Sequence, residues 1–114
     1  MFAQVPPPHP IIRARLDRAL AAHDLSAFRS AAREFPSAVT LADALQVLLL
    51  MLEAHDAAFD AAAVRWINRF TGECRGLALT EVHAAVEALA GLPAPDASGT
   101  LSALLKRHGR SGQA

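Results

Sequence analysis

Tyrosine is absent from this chain, cysteine and lysine occur once each, and the acids and bases cancel. Each deficit removes a class of answer. A single thiol, Cys74, cannot form an intramolecular disulfide, so the fold must rest on its core, and a reducing, cytoplasmic setting is the simpler expectation. Eleven basic against eleven acidic side chains give a formal charge of zero. That disfavours a nucleic-acid partner, because phosphate contacts supply most of the affinity in such complexes. Strand-forming residues are scattered rather than clustered, which leaves a sheet little support. The most apolar run, Val47-Leu48-Leu49-Leu50-Met51-Leu52, is far too short to cross a bilayer, so no membrane partner is expected. The first ten residues hold four prolines and neither a basic region nor an apolar stretch, so they do not read as a signal peptide.

What is present is alanine and other apolar residues, 53% hydrophobic over 114 residues, enough for one core in one domain. Alanine is the best helix former, and its small side chain lets helices approach closely. Arginine outnumbers lysine ten to one, as expected of a GC-rich coding sequence.

The periodicity predicts an all-α fold, a compact bundle of five to six helices over residues 11–109, with a proline-rich extended lead at 1–10 and a frayed tail at 110–114. Ile12, Leu16, Ala19 and Leu20 define a first stripe, ending near Ala22. Asp24 caps a second helix carrying Leu25, Phe28, Ala31 and Phe35, which Pro36 ends. Thr40 and Asp43 form a capping box for a third, apolar nearly all round from Val47 to Leu52 and therefore central. Asp56 opens a fourth, bearing Phe59, Ala62, Ala63, Trp66, Ile67 and Phe70, with Gly72 or Gly76 as its stop. Thr80 caps a fifth that stops at Gly91 and Pro93. Residues 93–99 read as a loop, followed by a short sixth helix with Leu101, Leu104 and Leu105 that Gly109 closes.

Ala22-His23-Asp24 recurs as Ala54-His55-Asp56, thirty-two residues later. Leu16 and Leu20 map onto Leu48 and Leu52 at that offset, and beyond the turn Phe28, Ala31 and Phe35 map onto Phe59, Ala62 and Trp66 at thirty-one. Two similar helical hairpins are implied, with helices five and six as a degenerate third, stacked in a repeat-like way. In period and in spacing of small residues the pattern resembles tetratricopeptide hairpins, without their Trp-Leu-Gly-Tyr signature.

No motif carries chemistry. The two His-Asp pairs are adjacent in sequence, so their side chains diverge by about a hundred degrees on a helix, and capping accounts for the aspartates better than catalysis. The five histidines lie in different segments with no paired ligand spacing, and no metal or other cofactor is expected. Beside Cys74, Arg75 would lower the thiol's pKa and a helix C-terminus would raise it. The most distinctive surface is the fourth helix, where Arg65, Trp66, Arg69 and Phe70 set guanidinium and aromatic groups side by side, types enriched in interface hot spots. Trp66 also suits the core of so small a domain.

The leading reading is a non-catalytic protein-interaction module, adaptor or regulatory, with Arg65, Trp66, Arg69, Leu50 and Met51 as partner-binding residues. Its partner is another protein, or a second copy meeting it through the third or fourth helix. The alternatives are a regulatory protein that binds nucleic acid through an arginine-rich helical face, and an enzyme whose His/Asp site is gathered from several helices.

Overall fold

The computed structural model describes residues 9–108. Within them run six α-helices and no strand: α1 (His9–Ala21), α2 (Leu25–Glu34), α3 (Leu41–Glu53), α4 (Phe59–Glu73), α5 (Leu79–Gly91) and α6 (Pro95–His108), with a short 3-10 turn at Pro36–Ala38. None of these helices is long and apolar enough to cross a membrane. Consecutive helices pair as three hairpins. The third does not continue the stack of the first two. α5 lies on α4 and α6 returns to α3, so α3 to α6 form a closed ring of four, and α1–α2 is laid against α3 from outside.

Burial follows that division. Leu45, Leu48, Trp66, Phe70, Leu89, Leu101 and Leu104 centre the ring's core. Ile12, Leu16, Ala19, Phe28 and Ala31 make a smaller one between α1 and α2. Val47 packs against both. Its helix is apolar on nearly every side because it has neighbours on nearly every side, which also buries Leu50 and Met51, 7% and 2% exposed.

Helix boundaries show which local signals prevailed. The Thr40–Asp43 box forms as expected: the Thr40 hydroxyl accepts the Asp43 N–H and the Asp43 carboxylate accepts the Thr40 N–H, both at 3.0 Å. Asp24 caps α2 by accepting the Ala27 N–H at 3.0 Å. Asp56 instead caps a preceding turn, accepting the Ala58 N–H at 2.9 Å, and the helix proper starts at Phe59. α4 runs through Gly72 to Glu73, and Gly76, at φ +73°, makes the turn beyond it.

Three expectations are corrected. The lead was expected to stay out of helix through residue 10, yet α1 starts at His9 with Pro10 in its first turn, where a missing N–H costs nothing. The rest of the lead, residues 1–8, and the tail with Gly109 lie outside the described residues. α5 starts at Leu79 rather than after Thr80, because Glu81 stands three residues past Ala78 and accepts its N–H at 2.9 Å, whereas Thr80 has His83 at that spacing. Most of the expected loop at 93–99 is helix. Pro95 suits a first helical turn, and buried Ala97 continues the Leu101–Leu104 stripe, so burial outweighs the glycine at position 99. α5 and α6 meet closely enough that a Cβ on Gly91 would stand 3.4 Å from that of Ala97.

Candidate partner-binding groove

The Ala-His-Asp echo is a repeated backbone device. His23 and His55 both adopt left-handed backbone, at φ 57° and 53°. Asp24 N–H reaches back to the Ala19 carbonyl and His23 N–H to that of Leu20, at 2.9 and 3.1 Å. Asp56 to Met51 and His55 to Leu52 repeat the pattern at the same distances. These are two Schellman caps with histidine where glycine is usual, each followed by an aspartate that caps the next turn.

The two turns lie side by side. His23 Nδ1 stands 3.0 Å from Glu53, and Arg29 donates to Asp56 at 3.2 Å. The Ala58 N–H, then Arg29, hold the Asp56 carboxyl below its usual range. At the other end Arg13 of α1 donates to Asp43 at 2.8 Å, so one carboxylate with little exposure serves both the cap of α3 and the α1–α3 contact. The hydrogen bond to Asp43 is the main reason the Arg13 pKa is raised. Polar links thus seat the hairpin at both ends of α3 and leave its middle apolar.

There α2 packs on α1 and α3 rather than closing on α4, and a groove of about 450 Å³ opens between them. Phe28 and Val39 form the near wall, and Ala44, Val47 and Leu48 the floor. Ala62, Arg65, Trp66, Asn68 and Arg69 form the far wall, and among the described residues no acidic one lines the space. Trp66 is 2% exposed, donates its indole N–H to the Leu41 carbonyl at 2.9 Å and stacks on Phe70 with centroids 5.2 Å apart. Arg69 donates to the Val39 carbonyl at 3.0 Å and to Glu73 at 2.6 Å, which ties α4 to the linker before α3. Arg65, exposed on the rim, has no partner among the described residues.

Of the five residues expected to bind a partner, Arg65 and Arg69 reach the groove's accessible edge. Trp66 backs it from inside the core. Leu50 and Met51 are buried, which places them in the interior rather than on an outer surface as expected. Phe28, Val39, Ala44, Val47 and Ala62 were not foreseen as a surface, since their juxtaposition depends on how far α2 stands from α4.

The chemical candidates stay apart. Among the described residues, no histidine or aspartate lines the groove, and of these two types only His83 lines the surface hollow along α5. No group of three metal-ligating side chains occurs among the described residues. Cys74 is buried, and burial, then the Glu73 charge, push its thiol up rather than down. Arg13, Arg15, Arg29, Arg69 and Arg107 each pair with a carboxylate. Compared with known proteins, the chain matches no family model, no curated protein and no solved structure.

Proposed function

We propose that this chain is a non-catalytic protein-interaction module that receives an apolar segment of a partner protein in the groove between α2 and α4. The observation that carries this reading is an open apolar channel, at the junction of two separately packed units, with the exposed Arg65 on its rim. Clefts between packed units are favoured binding places, and a few polar groups at an apolar surface give orientation. With Arg65 and Arg69 the only charged groups along it among the described residues, the groove suits a segment whose apolar side chains are flanked by a carboxylate. Ala62 is partly buried on the groove's lining, and Ala62→Arg would put a long cationic side chain into the channel. Peptides selected from a random displayed library on the wild type should lose binding at least about tenfold to Ala62→Arg, with helicity unchanged. Selected peptides that bind wild type and Ala62→Arg alike would sink the reading.

A further inference from the structure

The backbone around the groove limits the form its occupant can take. Every described lining residue except Val39 lies within an α-helix, where N–H and C=O groups are spent on one another. The short stretch around Val39 is spent as well. Its N–H donates to the Pro36 carbonyl at 3.3 Å, its carbonyl accepts from Arg69 at 3.0 Å, and the next N–H, that of Thr40, goes to Asp43. An extended segment draws its affinity from main-chain bonds to an open edge, and among the described residues the groove offers no such edge. Laid against Val47 and Ala62, that segment would bury peptide groups without partners. A helix satisfies its own backbone before it arrives.

Resting on the groove's role proposed above, we infer that its occupant is one amphipathic helix of the partner protein. That helix lowers two apolar side chains, one turn apart, between α2 and α4 and sets an acidic side chain on its α4 flank against Arg65. The dimensions agree. From Ala62 to Arg69 the α4 wall runs roughly 10 Å, and side chains at i and i+4 of a helix stand about 6 Å apart, so two fit and a third does not. Arg69 crosses from α4 to the Val39 carbonyl on the near wall, which closes one end of the groove. Beyond the other end, Arg29 ties α2 to Asp56 in the turn before α4 at 3.2 Å. The space between these bridges is entered by side chains from above, while the partner's backbone stays outside it. The charges agree too. Arg69 is engaged by Val39 and Glu73, whereas Arg65, one turn away, is exposed and available to a carboxylate.

The probes are displayed-library peptides that bind the wild type and lose binding to Ala62→Arg. On mixing with the full chain they should gain helical circular dichroism. Proline at a central position facing away from the groove should weaken them about tenfold or more, and a lactam bridge between i and i+4 on that same outer face should leave binding intact or tighten it. Arg65→Glu, a change at an exposed site, should also weaken binding about tenfold, and lysine in place of the peptide's acid should restore it. Peptides that remain sensitive to Ala62→Arg yet accept the proline and gain no helicity would overturn the helix and leave the groove's role standing. Helical binding indifferent to Arg65→Glu would overturn the charge pairing. A selection that yields no peptide sensitive to Ala62→Arg would overturn the groove's role and the helix together.

Discussion

The ring of α3–α6 and the hairpin of α1–α2 use the same kind of helix but hold themselves together differently. In the ring every helix has two neighbours and contributes to one enclosed core, with Phe70 and Leu101 wholly buried at its centre. The hairpin has a core of only five buried residues, which is too little to stand alone, and it relies on α3 for the rest. Its attachment is partly apolar, through Leu25 and Val47, and partly ionic, through Arg13–Asp43 and Arg29–Asp56. Exposed ion pairs contribute about 0–1 kcal/mol each, so most of the ionic share rests with Arg13–Asp43, whose carboxylate is nearly buried. Closure, more than helix content, separates a self-sufficient unit from a dependent one.

That difference is open to direct attack. Phe70→Ala should cost the whole molecule about 3–5 kcal/mol in urea unfolding, with every helix lost together. Leu16→Ala, at an equally buried site in the hairpin, should cost somewhat less and act locally. Amide exchange would quicken in α1 and α2 first, while α3 to α6 keep their protection. Equal acceleration in both units would show that they open as one.

Acid distinguishes the two units next. Glu81 ties the start of α5 to the end of α6. The Ala78 N–H first and His108 second hold its carboxyl down to about 2 from an ordinary 4.5. Because the folded value lies below the unfolded one, its contribution is present above pH 4.5 and is lost as the pH falls from there toward 2. Asp56, lowered in the same direction, acts on the joint with the hairpin rather than on the ring. Glu81→Gln should therefore flatten the acid slope of the urea midpoint for the ring alone. A slope unchanged by that substitution would remove Glu81 from the account.

The smallest effect separates the two caps. A non-glycine residue in left-handed backbone costs on the order of 1 kcal/mol. His55→Gly should thus raise the unfolding midpoint by about that much, and His23→Gly by less, because it also gives up the contact with Glu53. Equal gains at both positions would mean that the His23–Glu53 contact contributes nothing.

Much of this architecture is readable from local sequence, for identifiable reasons. Caps such as Asp24 and the Thr40–Asp43 pair sit within four residues of the groups they satisfy, so spacing alone reveals them. The Ala-His-Asp repeat is legible as a turn because its aspartates are cap formers, but the histidines' left-handed backbone is not, since glycine is the residue that advertises it. Pro95 and the glycine at position 99 spell a loop locally, and only the burial of Ala97 and Leu101 makes them helix. Leu50 and Met51 look like spare apolar surface until α3 is seen to be enclosed from both sides. The groove was the least legible part. It lies where α2 packs on α1 and α3 more than on α4, and no residue pattern encodes such a gap.

Val47 belongs to both cores and also to the floor of the groove. The binding place therefore exists only while the hairpin is seated, and occupancy and seating become one equilibrium. An occupant that recognises the closed arrangement stabilises it by RT ln(1 + [L]/Kd), about 2.7 kcal/mol at a hundredfold excess over Kd. Conversely, any fraction of molecules with the hairpin lifted lowers the apparent affinity in proportion. Substitutions at Arg13 or Asp43, at the opposite end of α3 from the Arg29–Asp56 link, would then tune binding without touching the bound segment, through mass action alone.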